Sequence, residues 1–468
     1  MIDVNLNTGK VVSLTPTTID GMHFDLVDEN RVVHLTLRLD ENHFVIEDRK
    51  DILDDGIEAK LETLFIELEN QRISGIEDEV EDTFSDPFDP EEISIDTKKF
   101  SMDSCLRRLT QGTIKLNPDF QRQEVWTIEK KSQLIESLML KIPIPMFYVS
   151  SDEKSHLTVV DGLQRLSTIR DFILGKKYIE TKEEKYKGIG FQLQSLEFWK
   201  EYEGKNFKSL PTNIINRILE TEFTFTIINP GTPEEVRRNI FKRLNTGGMP
   251  LSSQEIRNAL YIGKSTVLLN KLSMLEIYKK ATDYSIKSLR MEDKELILRF
   301  ISFLVRKYDF YNRTVNVDTW LSDTMIILNS LPELDSRELK KLVNSKNKTV
   351  DMNSINQVSL DFVEESFIKA MRRASKLFGK HAFRKSYPGV RRTPINKSLF
   401  ETWGVLLSEM SEINFNKLYT NKDIFMREYT RLINNYDFVL TISRDSMKAP
   451  SVKSRFEKII ELINKYSS

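Results

Sequence analysis

His156-Leu157-Thr158-Val159-Val160-Asp161-Gly162-Leu163-Gln164-Arg165-Leu166-Ser167-Thr168-Ile169-Arg170-Asp171-Phe172-Ile173-Leu174 is the stretch from which the fold is read. Leu157 to Val160 is a short buried strand, and Asp161-Gly162 is a turn pair. From Gln164 the apolar residues fall at Leu166, Ile169, Phe172 and Ile173, the spacing of a helix that buries one face. The first turn of such a helix offers N–H groups with no partner inside the helix. Arg165 adds a guanidinium there, and Ser167 and Thr168 add hydroxyls. Together these make an anion site, for which phosphate is the commonest guest. Asp161 and Gln164 are also spaced as a capping box, which would merely close the helix end and leave Arg165 solvated.

Working outward, the 468 residues correspond to roughly three domains on the length prior. The single cysteine, Cys105, excludes an intramolecular disulfide and any cysteine-built zinc site, and fits a reducing cytosol. Met1 to Asn5 shows no basic region followed by an apolar run, so no signal peptide is expected. The greasiest segment, Leu296 to Val305, contains Arg299 and is too short for a bilayer. These features predict a soluble cytoplasmic protein. The net charge of −1 hides an asymmetry. Residues 1–96 carry 26 acidic and 7 basic residues, whereas residues 97–468 carry 44 acidic and 62 basic. A basic body suits a polyanion such as nucleic acid, and an acidic front is something that would cover it.

Taken in order, residues 1–50 alternate apolar and polar in short runs separated by turns, predicting antiparallel strands. Ile57, Leu61, Leu64, Phe65 and Leu68 then predict one amphipathic helix, so residues 1–74 read as a small acidic α+β module. Residues 75–93, with the run Glu77 to Asp82 followed by Asp86-Pro87 and Asp89-Pro90, read as an acidic linker. The central domain, 94–260, has predicted helices over 101–110, from Thr127 and over 211–219, and strands over 146–149 and 223–228. The span 176–210 reads as charged and irregular. Thr232-Pro233-Glu234-Glu235 opens a helix bearing Arg237, Arg238, Lys242 and Arg243 that ends at Asn245-Thr246-Gly247-Gly248, and Ser252 to Glu255 is a capping box for the next. Helical periodicity dominates 261–468. One basic break with interleaved aromatics interrupts it, Lys380 to Tyr387 and Arg391-Arg392, a composition that suits a phosphate backbone with stacking and equally a solvated loop.

Several familiar sites are weak here. With five histidines and one in the C-terminal half, an HNH nuclease there is not available. Gly263-Lys264-Ser265 imitates the end of a P-loop, but Asn258 stands where a glycine is needed and a helix precedes it. Pro118-Asp119 with Glu129-Lys130-Lys131 imitates a PD-(D/E)xK core, yet Glu129 falls in the first turn of a predicted helix rather than on a strand.

Asn117-Pro118-Asp119-Phe120-Gln121-Arg122, Trp126, Ile142-Pro143-Ile144-Pro145, Val160-Asp161-Gly162-Leu163-Gln164-Arg165-Leu166, Phe241 to Gly248, Leu251-Ser252 and Glu255-Ile256-Arg257-Asn258 occur in that order. Over roughly residues 94–400 this ordered set resembles the DGQQR-motif proteins, whose ParB/sulfiredoxin-like domain occurs in the GmrSD and SspE restriction systems. The resemblance implies an α+β fold: a ParB/sulfiredoxin-like α/β domain followed by a mainly helical domain and preceded by the small β-rich module. It implies a protein of bacterial defence against foreign DNA that binds and hydrolyses nucleoside triphosphates. Asp161, Arg165 and Arg122 would be catalytic. Gln121, Gly162, Gln164, Ser167, Thr168, Arg243 and Asn245 would hold the NTP, whose base stays open, together with Mg2+. Leu163 stands where the family usually has glutamine. DNA would be the partner, cut by a separate nuclease subunit or by an unrecognised site in this chain. A homo-oligomer is one of the assembly states left open, and no membrane is involved. A non-enzymatic module, switched by nucleotide and binding DNA or protein, is the rival reading.

Overall fold

The computed structural model describes the chain except residues 1, 19–22, 29, 31, 41–42, 53, 55, 78–93, 117–125, 153, 231, 233–239, 241–251, 288–289, 313–315, 345–349, 357, 444–445 and 468. The fold is α+β, with a small β-rich N-terminal region, a mixed sheet in the middle and a helical C-terminal region. The chain divides into two compact units, one of residues 84–266 and 289–291, the other of residues 1–83, 267–288 and 292–468.

The N-terminal residues form a five-stranded antiparallel meander in chain order: β1 (Ile2–Asn5), β2 (Val11–Thr18), β3 (His23–Val27), β4 (Val33–Asp40) and β5 (His43–Arg49). Helix α1 (Ile57–Ser74) packs on it. Val4, Leu14, Leu26, Leu35, Leu37 and Phe44 supply the sheet face of this core, and Ile57, Leu61 and Leu64 supply the helix face. Strand β1 was not anticipated. Its four residues alternate buried and exposed, too short a run to stand out before its partner is known.

In the central unit the sheet runs β6 (Ile95–Ser101), β10 (Glu222–Ile228), β8 (Phe147–Ser151), β9 (Leu157–Asp161), β7 (Ile114–Lys115). β10 pairs antiparallel with β6 and parallel with β8; β8 and β9 are antiparallel, β9 and β7 parallel. The helices are α2 (Met102–Thr110), α3 (Ile128–Met139), α4 (Leu163–Arg170), α5 (Lys176–Thr181), α6 (Thr212–Leu219) and α7 (Ser253–Leu260). Ser101 and Thr127 cap α2 and α3, and the Ser252–Glu255 capping box opens α7 as its spacing predicts. Phe147, Val149, Val159, Leu166, Ile169, Phe172 and Phe225 fill the core beside the sheet.

The span 176–210 has α5 and three single 3-10 turns, and it is firmly tied down. Buried Glu136 on α3 accepts the backbone N–H groups of Glu197 (3.0 Å), Phe198 (2.8 Å) and Trp199 (2.9 Å). Ser132, one turn earlier, accepts from the N–H of Gln194 at 3.0 Å. A carboxylate here replaces the β-ladder partners that this irregular backbone lacks.

The helical region comprises α8 (Lys264–Met274), α9 (Glu276–Ala281), α10 (Glu292–Val305), α11 (Val317–Ser330), α12 (Arg337–Asn344), α13 (Leu360–Phe378), α14 (Lys397–Glu409), α15 (Glu412–Thr420), α16 (Lys422–Ile433), α17 (Tyr436–Thr441) and α18 (Ala449–Ser467). Phe300, Phe367, Phe400 and Trp403 lie in its interior. So do several arginines: Arg299 and Arg455 both pair with fully buried Glu401, and Arg306 lies against Asp323. No helix among the described residues is long and apolar enough to cross a membrane.

Glu136→Ala should lower unfolding free energy by about 3–5 kcal/mol, because three N–H groups are left without an acceptor. Glu136→Gln, which keeps one oxygen, should cost about half as much. Thermal unfolding followed by circular dichroism measures both, and limited proteolysis should open the 194–199 segment first.

Candidate anion-binding site at the Gly162 turn

Asp161 ends β9 and Leu163 begins α4, so a single residue, Gly162, turns the chain from strand to helix. Its φ of 93° lies in the left-handed region, where a side chain is strained. Space is also lacking. A Cβ on Gly162 would lie 2.3 Å from Cδ1 of Phe147 and 3.2 Å from Nη2 of Arg165. Glycine is therefore required twice, once by backbone conformation and once by the ring packed against it.

The capping-box alternative does not form. Gly162 is the N-cap residue and no side chain caps the helix. The first internal bond runs from the N–H of Leu166 to the carbonyl of Gly162 at 2.9 Å. The N–H groups of the first turn therefore point out of α4 at its positive end with no intrahelical partner.

Asp161 instead faces Arg165. The guanidinium Nη2 donates to Oδ2 of Asp161 at 3.0 Å and to the carbonyl of Met146 at 3.3 Å, while Nη1 donates to the carbonyl of Pro145. It also lies over the Phe147 ring, 4.8 Å from the centroid. Arg165 has 13% of its side chain exposed, Asp161 39%. Burial draws the Arg165 pKa below its ordinary value, and the Asp161 carboxylate opposes that shift. An extra residue in β9, Val160, breaks the register between the Tyr148–Asp161 and Val149–Val159 pairs. Such a bulge re-aims the side chain that follows it. After α4 the helix widens into a π turn over Asp171–Gly175, a feature common beside functional sites.

Of the ten residues singled out in the sequence, the structure brings Asp161, Gly162 and Arg165 together, with Gln164 beside them in the first turn of α4. Ser167 and Thr168 lie in the second turn and are buried; the Thr168 hydroxyl finds no hydrogen-bond partner among the described residues. Gln121, Arg122, Arg243 and Asn245 lie outside the described residues. Glu129 sits in the first turn of α3 and Asp119 lies outside the described residues, so no nuclease-like pairing with Glu129 is described. Among the described residues no group of three or more His, Cys, Asp or Glu side chains could hold a metal ion.

One polar cluster was present in the sequence without a role. On α7, which packs against β9, Gln254, Glu255, Arg257 and Asn258 are all buried. Arg257 Nε donates to Oε1 of Gln254 at 2.8 Å, Gln254 Nε2 donates to Oδ1 of Asn258 at 2.9 Å, and Glu255 accepts from the N–H of Ser252 at 2.6 Å. The signal was legible: four consecutive-turn polar residues lie on the helix that also carries core residues Ile256 and Ala259. Hydrogen-bonded groups so deeply buried rigidify whatever rests on them.

Gly162→Ala should destabilise the protein by about 2–5 kcal/mol, from the positive φ together with the clash on Phe147. Gly162→Ala combined with Phe147→Leu should recover part of the loss. Denaturation midpoints of the two variants against wild type measure this.

No curated protein matches the chain. Residues 106–262, which hold the Gly162 turn and α7, match the family model described as GmrSD restriction endonuclease, N-terminal domain, and this supports a GmrSD-type restriction family for that part of the chain.

Proposed function

We propose that this chain binds and hydrolyses a nucleoside triphosphate and works on DNA in a bacterial restriction or anti-phage defence system. In this reading residues 94–260 are a ParB/sulfiredoxin-like domain whose Asp161 to Arg165 are a DGQQR-type motif with leucine at its third position. The observation that carries it is the uncapped mouth of α4 behind a glycine that admits no Cβ. Backbone can approach a phosphate closely there, and outward N–H groups at a helix start are suited to its oxygens. The name of the matched model, a restriction endonuclease, supplies the link to DNA and to defence.

The residues fit a triphosphate with its divalent ion in one respect that can be stated. Mg2+ is commonly held by one or two carboxylates plus the phosphates themselves, and Asp161 is a partly exposed carboxylate at the mouth. The ion would supply neutralisation of phosphate charge. Asp161 would hold it or orient water. Gly162 and the N–H groups of Leu163 and Gln164 would bind phosphate oxygens. Arg165 would keep Asp161 aimed and present positive charge beside the transferring group. Arg122, Gln121, Arg243 and Asn245 would close the site from other segments. Cutting of DNA would fall to a separate nuclease subunit or to residues not assigned here, and a cytoplasmic location follows from the same reading.

One observation favours the rival reading of a nucleotide-switched binding module without turnover. Three of the five N–H donors of Arg165 already bond Asp161 and two carbonyls, so its charge is largely engaged before a phosphate arrives. The two readings separate on multiple-turnover phosphate release over the four NTPs, with and without DNA. Arg165→Ala should reduce release at least 100-fold, and Arg165→Lys should fail to restore it, because a lysine cannot reach Asp161 and two carbonyls at once. Unchanged turnover in Arg165→Ala rejects the assignment. Nucleotide binding with no release in wild type selects the switch.

A further inference from the structure

From Ser366 to Phe400 the sequence contains ten Lys and Arg residues and no Asp or Glu. The structure sorts nine of these cations into two sets. Most cations of the basic break after α13, whose composition suits a phosphate backbone or a solvated loop, have partners within the protein. Arg384 is buried and donates to the carbonyls of Thr393 and Thr282 and to the Ser285 hydroxyl. Lys385 pairs with Glu77 at 2.9 Å, Arg392 pairs with Asp283, and Lys397 with Glu295 at 3.1 Å. Arg373 is buried against Glu412 at 2.7 Å. Phe383 is in the core.

The second set is Lys369, Arg372, Lys376 and Lys380. They recur at intervals of three and four along one side of α13 and the turn that follows it, and none of the four has an ion-pair partner among the described residues. Arg372, Lys376 and Lys380 are exposed and Lys369 is half-buried. Lys422, the first residue of α16, joins them: its Nζ donates to the carbonyl of Lys376 at 2.9 Å. Helix geometry spreads Lys369, Arg372 and Lys376 over about 10 Å at steps of about 5 Å, and Lys380 follows in the turn after Gly379.

Like charges three and four apart on a helix weaken it. Burial and the neighbouring Arg373 cation push the Lys369 pKa below its ordinary value, and the Glu412 carboxylate opposes that shift only in part. Helix-dipole stabilisation accounts for Lys376 and Lys380 near the C-terminus of α13; it fades within one turn and does not reach Lys369 or Arg372. The row therefore works against the stability of the helix that bears it.

We propose that the Lys369–Arg372–Lys376–Lys380 ridge, with Lys422 beside it, is the surface on which this protein holds the sugar–phosphate backbone of duplex DNA, independently of base sequence. It rests on the DNA-associated reading above and adds to it a location separate from the Gly162 turn. Cations that recur on successive turns of a helix and in the turn after it suit a row of phosphates. The aromatic residues within and just after the row, Phe378 and Phe383, are buried, so stacking on unpaired bases is not what this face offers.

The test is fluorescence anisotropy of full-length protein with a labelled 30-base-pair duplex between 50 and 200 mM NaCl, comparing wild type with Lys369→Ala/Arg372→Ala/Lys376→Ala/Lys380→Ala. The variant should bind at least 30-fold more weakly at 50 mM, equally so for two unrelated sequences, and its log–log salt slope should be shallower by about 3–4. Its NTP turnover without DNA should equal that of wild type, which also reports that it is folded. A wild-type slope and affinity in the variant overturns the ridge while leaving the DNA reading intact. No binding of wild type to any duplex overturns both. Tighter binding of wild type to duplex RNA of the same length overturns the choice of DNA.

Discussion

The closeness of the Phe147 ring to the backbone at Gly162 is the constraint on which the central domain turns. Strand β9 must end, reverse into α4 and stay packed on β8, and only a residue without a side chain, at positive φ, satisfies all three. Phe147 then serves two neighbours. Its edge seals the turn, and its face receives the Arg165 guanidinium. Arg165 in turn ties Asp161 to the carbonyls that precede β8. One aromatic side chain thus couples strand spacing, helix entry and the direction of a carboxylate.

This coupling fixes the directions of Asp161 and Arg165 by several contacts at once. A stacked arginine already held by one carboxylate oxygen and two carbonyls loses little further freedom when it acts. The buried polar chain Arg257–Gln254–Asn258 stiffens the helix packed on the same strand. Glu136 holds the irregular 194–199 backbone by three N–H groups, so that the region most in need of fixing is fixed from the core side.

Much of this architecture was legible in the residues, and the reasons for what was not are physical. Capping and periodicity located α2, α3, α6, α7 and the long C-terminal helices because those signals are local. Strand β6 was missed because it is an exposed edge, with nearly every side chain in solvent and no alternation to detect. Helices α8, α9, α12, α15 and α17 were missed as separate elements because they are short and punctuate longer periodic stretches. At the turn, Asp161, Gly162 and Arg165 were singled out together, but whether Asp161 caps the helix depended on where Arg165 is held, which is set by the Met146 and Pro145 carbonyls just before the neighbouring strand β8, 19 and 20 residues from Arg165 in sequence. Ser167 and Thr168 were read as facing a ligand; helical spacing carries them one turn too far and into the interior. In the basic break after α13, Arg384, Lys385 and Arg392 are taken up by carbonyls, a hydroxyl and carboxylates that no local pattern announces.

The two ends of the central sheet carry a last implication. β6 displays Lys98 and Lys99 along its open side, and β7 is two residues long. Backbone groups on a sheet rim invite a foreign strand to add itself, and charged or stunted rims refuse it. Continuous pairing from the central sheet of one molecule into that of another is therefore disfavoured at both of its borders.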